Sequence, residues 1–396
     1  MGIRLNSDTI RFIQEHQKED VCALALQASK YPLVDMSVAI TQIAGLQTAK
    51  DKLPSWYATD GLLYPRHLSL EQCSSEMTAR YKSSLLKGGS LIDLTGGFGI
   101  DCAFLAPNFK KVIYVEKQEE LCGIAAHNFP LLGLNHVEIV NGDGVDFLKN
   151  TNRVNCIFID PARRDDKGGK TVAISDCMPD VKAMSSLLLD KADMIMIKLS
   201  PMLDLALALS DMPKTKAVHI VSVLNECKEL LLVLASNDTE SCKIHCVNLG
   251  RKGDMQCFDF TREEEQNVIC DYASDMGKYL YEPNSSILKA GAYKSIAYKY
   301  GIKKLHPNSH LYASDQLVTD FPGRIFICHS AFSLNKREMK EHLSGISKAN
   351  ITVRNFPSSV SELRKRTKLN EGGDIYLFAT TLADEKRVIL KCTKAI

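Results

Sequence analysis

The sequence predicts an α/β fold in which parallel strands alternate with helices, and three observations lead to this prediction. A glycine-rich turn at residues 96–99 separates an apolar run from a segment of helical periodicity. After this turn, short runs that are apolar on both faces alternate with further helical segments. Acidic residues end several of these runs. Strands of this kind form a parallel sheet that helices cover on both faces, and ligands bind at the carboxyl ends of its strands.

The composition is typical of a soluble globular protein with two or three domains. The chain has 396 residues, of which 45% are hydrophobic and 24% charged. No run of about 18 apolar residues occurs, and the first residues are too polar for a signal peptide, so we expect no membrane segment and a cytoplasmic location. Thirteen scattered cysteines without a Cys-x-x-Cys pattern predict reduced thiols. Cys242, His245 and Cys246 would point to both faces of a strand, so we predict no metal site.

Charge is distributed unevenly along the chain. The formal net charge is +2, but residues 331–396 carry 13 lysines and arginines against 7 acidic residues, a charge of +6, and the preceding 330 residues carry −4. This asymmetry favours an anionic partner for the basic segment, and a solvated charged surface is the alternative.

These patterns divide the chain into four predicted parts. Residues 1–60 have apolar positions at helical spacing, broken at Tyr31-Pro32, and form a helical N-terminal segment. Residues 61–260 carry the alternating pattern around the glycine turn. Residues 261–330 are expected to form a small α+β module, and residues 331–396 form the basic segment.

The predicted elements of residues 61–260 begin with a helix over 69–86, in which Ser69 and Gln72 fit a capping box. A strand ending at residue 92 leads into the glycine turn, and a helix begins at Asp101. Further strands are expected at residues 111–116, 137–141, 155–160, 193–199, 217–224 and 244–249. Helices are expected between them at residues 117–132, 145–149, 180–189 and 230–235.

The C-terminal elements follow a different pattern. The sequence predicts a charged link at 262–266, a helix over 286–300 and a strand over 323–328. In the basic segment it predicts, in order, a strand at 351–354, a helix at 358–366 and a hairpin of residues 375–381 and 387–392.

The glycine turn is the first candidate binding site. Because Gly96, Gly97 and Gly99 have no side chains, the backbone can approach a ligand closely, and the next helix N-terminus offers unpaired N–H groups. The pattern favours a nucleotide, and a purely structural turn is the alternative.

Acids at the predicted strand ends are the next candidates. Glu116 ends the second strand about 20 residues after the glycines, where an acid accepts hydrogen bonds from ribose hydroxyls. Asp143 follows the third strand and can meet an adenine amino group, or it can cap the next helix. Asp93 can serve the ligand or be a buried acid bonded to the amides of the turn. Asp160 ends the fourth strand and is the best polar contact for a reacting group.

The spacing of the glycines decides between two cofactors. A dinucleotide prefers Gly-x-Gly-x-x-Gly, but position 102, three after Gly99, is a cysteine. The pattern Asp-x-x-x-Gly-x-Gly resembles instead the first motif of class I S-adenosylmethionine-dependent methyltransferases, with Thr95 in place of that family's usual first glycine. Together with the following Asp-x-Ala-Phe-Leu-Ala, it resembles methyltransferases that act on guanine N2 of small-subunit ribosomal RNA. The resemblance implies that S-adenosyl-L-methionine binds at Asp93, Thr95, Gly96, Gly97, Gly99, Asp101, Glu116 and Asp143.

The fourth-strand motif concerns the group that is methylated. Asp160 and Pro161 resemble the start of the Asp/Asn-Pro-Pro-aromatic motif of methyltransferases for exocyclic base amines, in which the acid or amide and a carbonyl hold the NH₂. Ala162 and Arg163 depart from that motif. Arg163 can stack on a base, meet a phosphate, or form an ion pair with an acid two or three residues further on. Lys198, at the end of the fifth strand, can counter the carboxylates or contact the substrate.

The helix before the glycine turn completes the cofactor site in this interpretation. Gln72, Ser74 and Thr78 resemble the helix that precedes the first motif in such enzymes and covers the methionine end of the cofactor.

The whole chain resembles bacterial class I methyltransferases with a C-terminal THUMP-like domain. The residues that carry this resemblance are Glu71, Gln72, Ser74, Ser75, Glu76, 160–163, 354–357, 362–365, 372–374 and 376–379. It implies a Rossmann-like class I methyltransferase core followed by ferredoxin-like and THUMP-like α+β modules. THUMP domains bind RNA, so phosphates are expected at Arg364, Lys365, Arg366 and Lys368, and a solvated helix face is the alternative.

The predicted function is methylation of a base in structured RNA, ribosomal or transfer RNA, with guanine N2 favoured. Two alternatives stay open. The first is an RNA-binding protein that keeps a cofactor-binding core but has lost catalysis, which the incomplete fourth-strand motif suggests. The second is a small-molecule methyltransferase.

Overall fold

A computed structural model describes residues 5–163, 174–236, 241–251 and 253–395, without the side chains of His67, Leu68 and Arg163. The chain forms two compact units. The first consists of Met1–Ala217 and Glu229–Glu240, and the second of Val218–Lys228 and Ser241–Ile396.

The first unit begins with the helical segment that the sequence predicts. Asn6, Asp20 and Asp35 each precede a helix and accept a hydrogen bond from a backbone N–H three residues later, which starts the helix at that point. The apolar faces of the three helices that these residues cap pack together in one hydrophobic cluster, which includes Phe12 and Ile43. The helices are α1 (Ser7–His16), α2 (Val21–Ala25), α3 (Met36–Lys52) and α4 (Pro54–Tyr57).

Strands and helices then alternate, as predicted. The strands are β1 (Gly88–Asp93), β2 (Phe109–Glu116), β3 (Val137–Asn141), β4 (Val154–Ile159), β5 (Ala162–Arg163), β6 (Cys177–Met178), β7 (Ala192–Leu199), β8 (Thr215–Val223) and β9 (Glu226–Ala235). The helices are α5 (His67–Gln72), α6 (Glu76–Leu85), α7 (Ile100–Leu105), α8 (Glu119–Leu131), α9 (Gly144–Asn150), α10 (Ser185–Lys191) and α11 (Leu205–Asp211).

The sheet of the first unit has the doubly wound order of an open α/β fold. Its strands follow the order β9-β7-β4-β1-β2-β3, and β3, β2, β1, β4 and β7 are parallel. The strand order reverses between β1 and β4, the place where such sheets bind ligands beyond the carboxyl ends of their strands. The predicted α/β fold class is confirmed.

The segment at 230–235 is a strand, so the helix predicted there is wrong. β9 runs antiparallel to β7, with Leu199 opposite Leu230. Leu230–Leu234 are all buried. A short run that is apolar throughout has no periodicity by which helix and strand can be distinguished, and here pairing with β7 outweighs the helix preference of leucine.

The single helix predicted over 69–86 is also wrong. The chain becomes extended at Cys73 and Ser75, between α5 and α6. Ser75, rather than Ser69, caps the second helix, because its hydroxyl accepts a hydrogen bond from the Thr78 N–H at 3.3 Å. The helix predicted over 180–189 begins later, at Ser185.

The second unit contains Val218–Val223 of β8 and, further along the chain, a seven-stranded sheet. Its further strands are β10 (Lys243–Leu249), β11 (Met255–Thr261), β12 (Tyr279–Pro283), β13 (Lys303–Lys304), β14 (Tyr312–Ser314), β15 (Gly323–Phe332), β16 (Asn350–Arg354), β17 (Ile375–Thr381) and β18 (Arg387–Lys394). Its helices are α12 (Arg262–Asn267), α13 (Ser285–Ala290), α14 (Ser295–Tyr300), α15 (Lys336–Leu343) and α16 (Val360–Thr367).

Two local signals account for two of the differences from prediction in this unit. The charged link at 262–266 is a helix, α12, because Thr261 and Glu264 form a reciprocal capping box. The helix predicted over 286–300 is two helices, and the first ends at Gly291, whose φ of 78° favours glycine. β11 was not predicted from the sequence.

The C-terminal seven-stranded sheet has the order β13-β14-β12-β15-β18-β17-β16. The predicted hairpin is present as β17 and β18, and the predicted strand at 351–354 is β16. Leu343 of α15 and Leu363 of α16 join Leu377 of β17 in one hydrophobic cluster.

Candidate active site

Five of the predicted site residues come together where the parallel strands end. Asp93 ends β1, Glu116 ends β2, Asp160 follows β4 and Lys198 lies at the end of β7. Asp143 follows β3 and begins α9. The fold therefore places these side chains along one edge of the sheet, as the sequence predicts.

The glycine turn is fixed onto the end of β2. The Gly96 N–H donates to the Val115 carbonyl at 2.9 Å, and the Gly97 N–H donates to Glu116 Oε2 at 2.8 Å. A Cβ at position 96 would lie 2.1 Å from the Tyr114 ring, so no other residue fits there without a shift. Gly97 and Gly99 have φ values of 55° and 87°, which few residues other than glycine adopt.

The turn fits the close approach of a cofactor. A Cβ built at Gly97 would meet only the Thr95 carbonyl, at 3.8 Å, so its outer side is open. Glu116 lies beside it with its carboxylate half-buried, bonded to the N–H groups of Gly97 and Gln118. An open glycine backbone next to an acid at the end of β2 is the donor and acceptor set that a nucleoside needs.

Asp143 has the capping role that the sequence left open. Its Oδ1 accepts hydrogen bonds from Val145 and Asp146 N–H at 2.7 and 3.0 Å. Its Oδ2 lies 2.5 Å from Lys117 Nζ. The bond from Lys117 lowers the pKa of Asp143. Both oxygens are therefore engaged within the protein.

Asp93 and Thr95 connect the glycine turn to the fourth strand. Asp93 is 1% exposed, and its Oδ1 accepts a hydrogen bond from the Thr95 N–H at 3.0 Å. The Thr95 hydroxyl accepts one from the Asp160 N–H at 2.7 Å. The threonine that replaces the usual glycine therefore fixes the backbone at Asp160.

Asp160 forms an ion pair with Lys198. Lys198 Nζ lies 2.5 Å from Asp160 Oδ2 and 3.4 Å from Asp101 Oδ2. The Asp160 side chain is 37% exposed, whereas Lys198 and Asp101 are buried. Lys198 thus has the charge-balancing position that the sequence offered as one of its two interpretations.

Two charged residues that sequence reasoning missed complete this cluster. Lys82 of α6 is 0% exposed, and its Nζ lies 2.6 Å from Glu229 Oε2 and 3.1 Å from Asp101 Oδ1. It also donates to the Ser74 hydroxyl at 2.9 Å. Glu229 belongs to β9, which is antiparallel, so the beginning of that strand lies at the carboxyl edge of its parallel neighbours. An acid directly before a six-residue apolar run was the available signal.

Burial and neighbouring charges shift the pKa values of this cluster. Burial raises the pKa of Asp93 well above its ordinary value, and Asp101, Asp160 and Glu116 add to the rise. Burial acts in the same direction on Asp101, but Lys82 and Lys198 outweigh it and keep that pKa below its ordinary value.

The pair of Asp160 and Lys198 is also shifted. Loss of hydration raises the pKa of Asp160 while Lys198 lowers it, and the water that reaches the exposed third of the side chain limits the rise. Burial would lower the pKa of Lys198, but Asp160 and Asp101 raise it well above its ordinary value. The lysine is therefore a stable cation beside Asp160.

The remaining predicted site residues of the first unit have different surroundings. Ser74 is buried and donates to Asp101 Oδ2 at 2.7 Å. Thr78 is buried, and its hydroxyl donates to the Ser75 carbonyl, whereas Gln72 is exposed at the end of α5. Pro161 is buried. The backbone of Arg163 pairs with Cys177, and its side chain lies outside the described part.

The four predicted RNA contacts belong to the second unit, where two are used internally. Arg364 donates to the Ala349 carbonyl at 3.4 Å and lies 3.6 Å from Glu371. Arg366 donates to the Leu334 carbonyl at 3.1 Å. Lys365 and Lys368 are exposed on α16 and at its C-cap.

Three further observations concern metal clusters, membrane spans and surface clefts. The described residues include no group of three or more His, Cys, Asp or Glu side chains placed to hold a metal ion. Among the helices described, none is long and apolar enough to cross a membrane. A surface cleft of about 530 Å³ is lined by residues that include Trp56, Arg80 and Phe104, and it contains none of the predicted site residues.

Two family profiles match the C-terminal part of the chain. One describes a ferredoxin-like domain and matches residues 279–322, and the other describes a THUMP-like domain and matches residues 323–394. No curated protein sequence matches the chain significantly.

Among solved structures, a crystal structure from Porphyromonas gingivalis W83 is similar over almost the entire chain. That protein, provisionally named a methyltransferase, is 35% identical, with 98% of each chain covered and a TM-score of 0.87. An rRNA methylase from Streptococcus thermophilus is 16% identical over 41% of this chain and 96% of its own, with a TM-score of 0.31. TrmK of M. capricolum, solved with S-adenosylhomocysteine, is 13% identical over 41% of this chain and 69% of its own, with a TM-score of 0.33. Because the TM-scores of the other two structures are low, the family assignment depends on the Porphyromonas structure and the two profiles.

Proposed function

Because the chain belongs to the family that joins a class I S-adenosylmethionine-dependent methyltransferase fold to a C-terminal THUMP-like domain, we propose that it methylates a base nitrogen in structured RNA. Guanine N2 is the favoured acceptor, in ribosomal or transfer RNA. The observation that carries the proposal is the carboxylate of Asp160 at the carboxyl edge of β4, beside the glycine turn, with Lys198 on Oδ2. Within the described residues, that is the only hydrogen bond to this carboxylate, which leaves Oδ1 for a substrate amine.

The protein contributes orientation and electrostatics to this reaction. When bound, S-adenosylmethionine would supply the methyl group: the N–C bond would form as the sulfonium C–S bond breaks, the electron pair of that bond would stay on sulfur, and the amine would release one proton to solvent. Asp160 Oδ1 accepts a hydrogen bond from the amine and so directs the nitrogen lone pair toward the methyl group. The carboxylate also stabilises the positive charge that develops on nitrogen.

In this proposal the cofactor is held by the predicted residues of the glycine turn and the neighbouring strand ends. Glu116 accepts hydrogen bonds from the ribose hydroxyls, and Gly97 allows the backbone to approach closely. Asp143 accepts a hydrogen bond from the adenine amino group at Oδ2, which also pairs with Lys117. Both bonds can form at this oxygen because the pair with Lys117 is solvent-exposed. Gln72, Ser74 and Thr78 surround the methionine end.

Glu116→Gln is expected to weaken binding of S-adenosylhomocysteine about tenfold, since a charge-assisted hydrogen bond to ribose becomes a neutral one and that loss is worth about 1–2 kcal/mol. Isothermal titration calorimetry of the full chain measures this affinity. Glu138→Gln, an exposed glutamate on the neighbouring β3, is the matched control. Unchanged affinity in Glu116→Gln would remove the ribose contact from the proposal.

The RNA contact is proposed at the basic face of α16. Changing Lys365 and Lys368 together to glutamine is expected to weaken RNA binding and to reduce the slope of log K against log salt by about 1 per lysine. Glutamine removes the charge, stays polar and adds no strain beyond that already present at Lys368, whose φ is 60°. Filter binding at several salt concentrations measures both quantities.

The control for this experiment is Lys386→Gln, an exposed lysine that pairs with Asp384. If the double variant keeps the wild-type salt slope, the exposed lysines are a solvated face and RNA binds elsewhere.

One observation favours a second function. Ala162 and Arg163 stand where amine methyltransferases have proline and an aromatic residue. The departure from the motif at these two positions is what we expect of a protein that binds RNA and cofactor but does not catalyse methyl transfer. Mass spectrometry of nucleosides in RNA from a strain lacking this protein decides between the two: loss of one methylated base supports the enzyme, and an unchanged inventory supports the binding protein or a small-molecule substrate.

A further inference from the structure

Five ionisable side chains form a continuous series from the beginning of β9 to the proposed catalytic carboxylate. Their charges alternate, and acids stand at both ends. The series runs Glu229, Lys82, Asp101, Lys198, Asp160, with contacts of 2.6, 3.1, 3.4 and 2.5 Å between successive groups. Three acids and two lysines leave one excess negative charge when all are ionised.

The interior of this series is shielded from solvent. Lys82 is fully buried, and Glu229, Asp101 and Lys198 are nearly so. Desolvation of a buried ion costs several kcal/mol, and apolar side chains of similar size often give equal or greater stability. A contribution to stability therefore does not explain why two extra charged residues are buried behind the site. A contribution to the function of the site does explain it.

Ser74 fixes the geometry in the middle of the series. Its hydroxyl donates to Asp101 Oδ2 at 2.7 Å and accepts from Lys82 Nζ at 2.9 Å. Asp101 thus has Lys82 on one oxygen and Ser74 with Lys198 on the other. Lys198 in turn bonds Asp160 Oδ2, so the orientation of Asp160 depends on the buried groups behind it.

We propose that Lys82 and Glu229 are positioning residues that set the orientation and ionisation of Asp160 through Asp101 and Lys198. The activity part of this inference rests on the proposed methyl transfer, whereas the ionisation part does not. Lys82 supplies the cation that keeps Asp101 in place, and Glu229 limits the excess positive charge that Lys82 would otherwise bring.

The two residues have opposite charges, so their removal has opposite effects. Loss of the Lys82 cation disfavours the ionised form of Asp160, and loss of the Glu229 anion favours it. Other charged groups also face Asp160 from the neighbouring elements and are unchanged in sequence in both variants. These groups are Asp93 of β1, Asp101 of α7 and Lys198 of β7.

The test measures the ionisation of Asp160 directly. ¹³C NMR of carboxyl-labelled protein follows the titration, and the Asp160 signal is assigned by its loss in Asp160→Asn. We expect Lys82→Met to move the titration midpoint up, and Glu229→Gln to move it down, each by at least about 0.3 pH unit. The exposed residues Lys87 and Glu226 provide matched controls, Lys87→Met and Glu226→Gln, with no shift expected.

Two further variants make the result decisive. Lys82→Arg keeps the cation and is expected to restore the wild-type midpoint, and Lys82→Met with Glu229→Gln is expected to lie between the single variants. If Lys82→Met fails to fold, Glu229→Gln and Lys82→Arg still carry the test. Shifts in the same direction, or none in either variant, overturn the inference.

The effect of these variants on methyl transfer is tested separately from the NMR titration. Where wild-type protein methylates RNA, the acid limb of its pH profile is expected to follow the NMR midpoint in each variant. If no RNA is methylated at all, the proposed function fails, and the opposite NMR shifts still support or overturn the charge series.

Discussion

Asp160→Ala is expected to lower the rate of methyl transfer by about 10²- to 10³-fold, because it removes the acceptor that orients the amine and stabilises its developing charge. Binding of S-adenosylhomocysteine should stay within about twofold of wild type, since the proposed cofactor contacts lie at Glu116 and the glycine turn. Single-turnover transfer of labelled methyl groups to RNA from a strain lacking the protein measures the rate, and calorimetry measures the affinity.

Two companion variants sharpen this test. Asp160→Asn keeps an acceptor oxygen but loses the ion pair with Lys198, so we expect a loss of about 10- to 100-fold, smaller than for alanine. Asp190→Ala changes an exposed aspartate of α10 and should leave the rate unchanged. Full activity in Asp160→Ala would remove this residue from the mechanism.

Gly96→Ala is expected to destabilise the first unit by about 2–4 kcal/mol and to abolish cofactor binding. The added Cβ would lie 2.1 Å from the buried Tyr114 ring, which is itself bonded through its hydroxyl to the Gly97 carbonyl. Relief of this contact requires the turn to leave the end of β2, and the N–H of Gly97 would then lose Glu116.

Urea denaturation and calorimetry with S-adenosylhomocysteine measure these two effects. The matched control for stability is Gly142→Ala, because a Cβ there meets no atom of the described residues within 4 Å and its φ is not positive. Wild-type stability in Gly96→Ala would show that the turn can move freely, contrary to the packing described.

The sequence predicts the core of the fold well because its signals are local and repeated. Apolar runs of strand length, a glycine turn and acids at strand ends are each recognisable within a few residues. The same reasoning finds Asp93, Glu116, Asp143 and Asp160, since the carboxyl ends of parallel strands share one edge. What it misplaces is β9, whose leucines have no periodicity and whose direction depends on a partner strand.

The missed residues of the site have the same cause. Lys82 and Glu229 are 147 positions apart, and no local pattern relates them. Sequence reasoning misses Glu229 because it predicts a helix at residues 230–235, whereas these residues belong to a strand. For Asp143 the sequence offers a ligand contact and a helix cap, and the structure contains the cap. For Arg364 it offers a phosphate contact and a solvated helix face, and the structure contains a hydrogen bond to the Ala349 carbonyl. Whether a ligand also binds at either residue stays a prediction.

The interleaved chain path of the two units has a consequence for how the protein can be synthesised and divided. Because β9 returns to the first unit after Val218–Lys228 has entered the second, a ribosome must make part of the second unit before the first is complete. A fragment ending at residue 217 would expose the backbone of β7 as an unpaired edge and would leave Lys82 without Glu229, one of its two acidic partners. A fragment that contains every strand of the first unit must extend through β9.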